Sequence, residues 1–331
     1  MATQMANEQA TRMKAAVYRE YGPPDVLRFE EVEVPAIADD QVLVRVRAAG
    51  VDPGVWFFLT GEPRMLRAAA GFSRPKNPVL GRALAGRVAA VGAKVTRFRP
   101  GDEVWGEIPG GAYAEYAAAP EKLLAAKPAG LSFEEAACLP LSGTTALQCL
   151  RNAGRLQPGM HVLINGAAGG IGTLAVQIAK ALGARVTAVC SADSADLVRS
   201  LGADHVIDYA SADFTDAGPR YDVVVDLVGN HTMAQCRRVL APGGRLVLSA
   251  GPPAPSVRRT IAGFLSYPFL RRKIVPCVAG PDVADLDRLG ELVGSGALRP
   301  VMDRTYPLAQ AADALRHQGA GHARGKTVIT V

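Results

Sequence analysis

Residues 162–172 read Val-Leu-Ile-Asn-Gly-Ala-Ala-Gly-Gly-Ile-Gly, and a helical apolar run follows at 174–180. An apolar strand that empties into small residues and then into a helix has few folded solutions: a strand, a tight turn and a helix N-terminus. Backbone N–H groups and the helix dipole at such a turn favour phosphate. Gly169 and Gly172 let the backbone approach a pyrophosphate and let the helix pack closely on a sheet. Ala167 stands where the dinucleotide fingerprint usually has its first glycine, so the match is A-x-G-x-x-G. The candidate contacts are Ala167, Ala168, Gly169, Gly170, Ile171 and Gly172. Glycine turns between strands and helices are common, and the run alone does not establish a nucleotide site.

The downstream pattern supplies the context. Residues 185–190 read as a second strand, 195–201 as a helix closed by Gly202, and 205–207 as a third strand. A fourth strand follows at 221–226, and a fifth at 245–249 is entered through a turn at Pro242-Gly243-Gly244. Apolar runs alternating with helical segments predict an α/β fold with a doubly wound parallel sheet, covered on both faces. Ligands in such sheets bind at the carboxyl ends of the strands. The turns after 225 and 249, including Val228 and Gly251, are therefore expected to touch the cofactor.

The flanks differ in texture. Residues 42–48 alternate apolar and basic side chains, as in a half-exposed strand, and short strands at 84–91 and 104–106 are separated by glycine and proline turns. This is a β-rich, barrel-like region. A helical segment starts at Phe133, and a second helix is expected to start near 143–147. After the sheet come a helix at 285–293, a strand at 301–306, a helix at 309–317 and a terminal strand at 326–331, which is expected to return to the first domain. A chain of 331 residues suits two domains. The boundaries read as 13–132, 133–279 and the return segment 280–331.

Composition narrows the classes. A net charge of +6 suits an anionic ligand, but no basic stripe interleaved with aromatics points to nucleic acid. The five cysteines are scattered without a C-x-x-C pair, which suits reduced thiols in the cytoplasm. Residues 1–12 have neither the apolar core of a signal peptide nor the arginine richness of a transit peptide. The uncharged stretch 162–179 is broken by Asn165, Gln177 and glycines, so it reads as a buried strand and helix and no membrane span is expected.

Val91-Gly92, Phe98 with Pro100-Gly101-Asp102-Glu103-Val104, Ala112-Tyr113-Ala114-Glu115-Tyr116, the dinucleotide turn, Leu201-Gly202-Ala203-Asp204 and Gly325-Lys326 occur in order. With these motifs the chain resembles the medium-chain dehydrogenase/reductase superfamily from 13 to 331. Within it, the likeness is to the zinc-independent quinone oxidoreductases, including the mitochondrial reticulon-interacting branch. The resemblance implies a GroES-like catalytic domain, a Rossmann domain and a cleft between them. It further implies hydride transfer from NAD(P)H to a quinone or α,β-unsaturated carbonyl, a homodimer, and Lys326 among the cofactor contacts.

Zinc alcohol dehydrogenases of the superfamily carry Cys after the Ala-Gly-Val turn and then a Gly-His-Glu. Here those places read Asp52 and Gly81-Arg82-Ala83. Arginine and alanine cannot ligate zinc, so a metal-free protein is expected. The five histidines form no ligand pattern, which favours surface or loop roles. Quinone oxidoreductases usually have Asn where Asp52 stands. An ionised Asp52 would oppose a developing enolate, a protonated one would donate to it, and the plain alternative is that it organises the turn with Pro53. Trp56 and Phe57 are either a wall for a flat ring or core residues, and Tyr113 offers a phenol or packs. Thr145 matches a threonine near the nicotinamide and would also serve as a helix cap.

NAD enzymes place an acid at the end of the second strand, where this chain has Cys190-Ser191. That favours NADPH, with NADH possible. Ser191 and Tyr209 are the expected contacts of the adenosine phosphate. Asp193 either repels that phosphate or caps the next helix. The apolar segment 258–273, with its flanking arginines, reads as a lid, a subunit contact or a membrane-facing patch. Two other functions stay open: a zinc-free alcohol or enoyl-thioester reductase, and an NADPH-binding regulatory protein with weak catalysis.

Overall fold

The computed structural model describes residues 11–64, 67–216, 218–249, 262, 273–321 and 323–331. An antiparallel pair, β1 (Arg12–Val17) and β2 (Arg28–Glu33), opens the chain. The next sheet contains β3 (Gln41–Val51), β4 (Ala83–Val91), β5 (Glu103–Glu107), β6 (Tyr116–Pro120) and β7 (Leu124–Ala126). Of the expected half-exposed strand, only Arg45 is exposed; 42–44, 46 and 48–51 are buried. The reason is pairing: β3 is flanked by β4 and β6 and, at its far end, by a strand from the C-terminus.

The second sheet follows the sequence pattern closely. Its strands are β8 (His161–Asn165), β9 (Arg185–Cys190), β10 (His205–Asp208), β11 (Tyr221–Asp226), β12 (Leu240–Leu248) and β13 (Ile274–Pro276). They lie in the order β10-β9-β8-β11-β12-β13, with every neighbouring pair parallel. The chain reverses its winding direction between β8 and β11, which opens a crevice outside the carboxyl ends of those two strands. The expected turn at 242–244 is instead a bulge inside β12. The register jumps from Tyr221–Leu240 to Val223–Arg245, and Gly243 takes a φ of +83° that suits glycine.

Two strands close the chain, β14 (Met302–Pro307) and β15 (Lys326–Thr330). β15 pairs antiparallel with β3 and parallel with β14, so the C-terminus completes the N-terminal sheet. Just before β15, Gly325 bridges Gly169 of the dinucleotide turn, and its N–H donates to the Ala168 carbonyl at 2.9 Å. One short segment therefore fastens the two sheets together beside the crevice.

The helices whose ends lie among the described residues are α1 (Pro53–Thr60), α2 (Arg67–Ala70), α3 (Phe133–Ala137), α4 (Pro140–Gln148), α5 (Gly172–Ala181), α6 (Ala195–Ser200), α7 (Met233–Arg238), α8 (Val283–Gly294) and α9 (Ala311–Gly319). A Ser132–Glu135 capping box starts α3, and Pro140 in its first turn starts α4. Residues 143–147 thus lie inside α4 rather than at its start. Thr145 caps nothing; its hydroxyl donates back to the Leu141 carbonyl at 2.7 Å. Gly143 lets α8 approach, since a Cβ there would lie 2.9 Å from Leu289. Each fully buried leucine at this junction contributes about 2 kcal/mol of apolar burial.

Candidate active site

A cavity of about 960 Å³ lies in the crevice. One wall is the dinucleotide turn. Gly166, Ala168, Gly169, Gly170, Ile171 and Gly172 line it, whereas Ala167 is buried beneath with its N–H on the Val189 carbonyl at 3.0 Å. The tightest position is Gly172, where a Cβ would stand 2.1 Å from the Gly166 carbonyl oxygen. At Gly169 a Cβ would meet no protein atom closer than 3.5 Å, so the lost side chain there leaves room on the cavity side. That open backbone at the start of the ten-residue α5 fits a pyrophosphate.

The ends of the neighbouring strands form the rest of this wall. Cys190, Ser191, Tyr209 and Val228 all line the cavity. Burial pushes the Cys190 thiol up from its ordinary value, which keeps it protonated. The loop after β11 is held from below: buried Asp226 accepts from Val228 and Gly229 N–H and from the Asn165 amide, which also donates to Asn230. Asn165 and Asn230 line the cavity and were not read from sequence. Gly251 lies outside the described residues, as do His322 and the segment 258–273 apart from Ala262 and Lys273.

Asp193 caps neither the 192–194 turn nor α6; those cap positions fall to Ser191 and Ser194. Its carboxylate instead pairs with Arg324 at 3.2 Å, and both residues line the cavity mouth. The attraction of a guanidinium from the segment before β15 explains the difference. Arg324 was missed in the sequence because it lies 131 residues away; its one signal was its place beside Gly325-Lys326.

The opposite wall and floor come from the N-terminal sheet. Val51, Pro53, Trp56, Ser142 and Lys326 line the cavity. The Trp56 ring packs over Gly319, where a Cβ would stand 2.7 Å from it. Phe57, Tyr113 and Thr145 are not among the lining residues. Tyr113 is fully buried, its hydroxyl donating to the Gly50 carbonyl at 3.2 Å. Burial and the Asp52 charge hold that phenol well above its ordinary range.

Asp52 does not organise its turn through the side chain, although Pro53 follows it and its carbonyl accepts Val55 N–H at 3.0 Å. Its carboxylate is buried and bound to the Lys326 ammonium. The Ser142 hydroxyl donates to the same oxygen, Oδ1, at 2.7 Å. Lys326 Nζ also donates to the Val51 carbonyl and to Ser142 Oγ, each at 3.0 Å. A buried ammonium one strand away outcompetes the local turn for the carboxylate. Beside this group, Arg82 pairs with Glu107 at 2.6 Å. Burial outweighs that attraction and, with Asp52 adding, pushes the Glu107 carboxyl up to about 7.

The described histidines do not line the cavity. Of the surface or loop places expected, His205 is exposed and His231 lies in a loop, whereas His161 on β8 and His317 on α9 are half-buried in regular elements. His161 Nε2 is 2.8 Å from Thr187 Oγ1, and His231 and His317 face Asp213 and Asp303.

Comparison with known proteins places this cleft. Residues 38–129 match the alcohol dehydrogenase GroES-like domain, and residues 201–329 match the zinc-binding dehydrogenase model. The chain is 35% identical to the chloroplastic NADPH-dependent alkenal/one oxidoreductase of Arabidopsis thaliana, over 96% of this chain and 79% of that protein. It belongs to the medium-chain dehydrogenase/reductase family. Its likeness within that family is to the quinone oxidoreductase branch. The human mitochondrial NAD(P)H oxidoreductase RTN4IP1 is 33% identical over 98% of this chain and 90% of its own. The quinone oxidoreductase structure from Coxiella burnetii superposes with a TM-score of 0.84 at 31% identity, covering 97% of this chain and 99% of that one. The GroES-like and Rossmann folds expected from the motifs are those observed.

Proposed function

We propose that this medium-chain dehydrogenase/reductase reduces quinones or α,β-unsaturated carbonyls with NADPH and without a metal. The observation that carries the reading is the single cavity running from the dinucleotide turn to a floor of Trp56, Ser142 and Lys326. Gly169, Gly170, Ile171 and Gly172 would hold the pyrophosphate, and Val228 and the loop it starts would flank the nicotinamide ribose. When bound, NADPH supplies a hydride to an acceptor lying against Trp56. The names of the similar proteins, an alkenal/one oxidoreductase and a quinone oxidoreductase, favour that acceptor class.

The preference for NADPH is supported by the end of β9. Cys190 and Ser191 offer no carboxylate to the ribose hydroxyls, and the nearby Asp193 is matched by Arg324. The metal-free reading is supported by residue chemistry: Arg82 cannot ligate zinc, and Asp52 is committed to Lys326. Thr145 is proposed to act through the shape of α4, its hydroxyl being used within the helix. We also propose that 13–132 with 280–331 forms the catalytic domain, that 133–279 forms the cofactor domain, and that the protein works as a homodimer in the cytoplasm. The five free cysteines suit a reducing compartment, and no helix among the described residues is long and apolar enough to cross a membrane.

The test is NADPH and NADH consumption with but-3-en-2-one and 1,4-benzoquinone, with and without a chelator. Turnover that prefers NADPH and ignores the chelator is expected. Tight NADPH binding with no turnover would overturn the enzyme reading in favour of a nucleotide-binding regulator.

A further inference from the structure

A buried ion pair is a weak source of stability, because the cost of desolvating two charges offsets most of their attraction. Asp52 and Lys326 are buried to 0% and 2% side-chain exposure, and among the described residues Asp52 Oδ2 has no hydrogen-bond partner. Such a group is expensive to keep. Its position suggests why it is kept: Lys326 and Ser142 line the cavity floor, and the Lys326 stem lies against the dinucleotide turn, where a Cβ on Gly170 would come 2.7 Å from Lys326 Cδ. The ammonium itself is bound to Val51, Asp52 and Ser142.

We propose that Lys326 is the fixed positive pole for the substrate oxygen that becomes negative during reduction, with Asp52 positioning it and Ser142 as the exchangeable partner. The inference rests on the reductase reading above. An ammonium has three N–H donors, and the Val51 carbonyl, the Asp52 carboxylate and the Ser142 hydroxyl take all three. The hydroxyl is a neutral acceptor on a residue that lines the cavity, and it keeps its own donation to Asp52 when it releases Lys326. A neutral ketone gains little by taking its place. An oxyanion adds opposite-charge attraction to the hydrogen bond, so the exchange favours the transition state over the bound substrate. The Asp52 carboxylate does not oppose the reaction, since its charge is matched by Lys326.

The electrons balance simply. The β-carbon of an enone gains a C–H bond from the hydride that NADPH supplies, leaving NADP+. The alkene pair shifts toward the carbonyl carbon, and the carbonyl π pair comes to rest on oxygen beside Lys326. One solvent proton added at the α-carbon gives the saturated ketone.

The ionisable groups around the pair are the Arg82–Glu107 pair and Tyr113 on the Asp52 side, and Cys138, whose thiol feels both charges and is pushed up to about 12 chiefly by burial. None of them replaces Asp52 as the direct partner of Lys326.

The test uses the full-length protein and its variants Lys326→Met, Asp52→Asn and the double change, which removes both buried charges and so guards against misfolding. With but-3-en-2-one, Lys326→Met and the double variant should lose kcat by about 100-fold, the size of one oxyanion donor. Calorimetric NADPH affinity should stay within about threefold, as expected where the ammonium's donors go to Val51, Asp52 and Ser142. Asp52→Asn should lower kcat with NADPH affinity unchanged, because it removes the group that holds the ammonium in place. In the NADP+ complex, absorbance titration of bound 4-nitrophenol should show the phenolate favoured by the natural protein and not by the double variant. Equal losses of NADPH affinity and kcat, an undiminished kcat in Asp52→Asn, or identical nitrophenol ionisation would each overturn the proposal. If the natural protein reduces neither enone nor quinone, the reductase reading fails, and the nitrophenol titration still decides whether Lys326 is an oxyanion pole.

Discussion

The two ends of the cavity are built from opposite materials. The dinucleotide turn is seven consecutive residues, 166–172, without a charged side chain; its chemistry is backbone N–H groups and the space that missing side chains leave. The floor is a set of buried charges and hydroxyls from residues 52, 142 and 326, brought together by the ends of β3 and β15 and by α4. A backbone site is stable whether or not its ligand is present. A side-chain site carries a desolvation cost that each partner offsets for the others, so its members fail together.

That contrast gives the largest expected effect. Lys326→Met leaves Asp52 as an uncompensated buried carboxylate, and stability should fall by about 3–5 kcal/mol in chemical denaturation. Adding Asp52→Asn should restore most of the loss, which a double-mutant cycle reads directly. A Lys326→Met protein as stable as the natural one would mean that the floor is not a coupled unit.

Glu107 sharpens the same end of the comparison through pH. Its folded-state carboxyl sits at about 7, above the ordinary 4.5, mainly through burial. The folded chain therefore keeps a proton that the unfolded chain releases above pH 4.5. Its contribution to stability is fully present below that value and is lost as pH rises through about 7, for a total of about 3 kcal/mol. Denaturation midpoints at about pH 5 and about pH 8 should differ in that sense, and Glu107→Gln should flatten the difference.

At the backbone end, Gly172→Ala places a Cβ 2.1 Å from the Gly166 carbonyl oxygen and 2.7 Å from Ala167 backbone atoms. The turn must open, and NADPH affinity should fall about 100-fold, equivalent to about 3 kcal/mol. Gly169→Ala leaves ordinary distances to the protein, so any loss it causes reports the ligand alone. Calorimetry on both variants separates a distorted turn from a filled one.

The same contrast explains what was legible in the sequence. The turn, five of the six parallel strands and the return of 326–331 to the first sheet follow from local patterns, because apolar period and glycine placement are properties of neighbouring residues; β13 (Ile274–Pro276), only three residues long, was not read. Asp52 was legible as an oddity but not as a partner, since nothing local to positions 52 and 326 links them. Thr145 was misplaced by a few residues because Pro140, not the Gly-Thr-Thr run, starts α4. Asp193 looked like a cap because Ser, Asp and Ser at a helix start all qualify. Only the fold shows that Arg324 takes its carboxylate.

The Asp193–Arg324 pair carries the smallest effect, because it mixes the two kinds of construction. It is a side-chain contact like the floor, yet it is exposed at the cavity mouth, with 79% and 51% side-chain exposure, so solvent and salt weaken it. A 2′-phosphate arriving beside Ser191 and Tyr209 would compete with Asp193 for the guanidinium. Arg324→Ala should therefore weaken NADPH binding about tenfold and leave NADH within about twofold, a difference of about 1.4 kcal/mol. Asp193→Asn should act in the opposite sense, strengthening NADPH a few-fold by releasing Arg324. Both effects should shrink as salt is raised, unlike those at Lys326. Calorimetric titration of the two nucleotides at low and high salt reads all of this. Equal losses of NADPH and NADH in Arg324→Ala would place the guanidinium on the shared pyrophosphate and leave nucleotide choice to Ser191 and Tyr209.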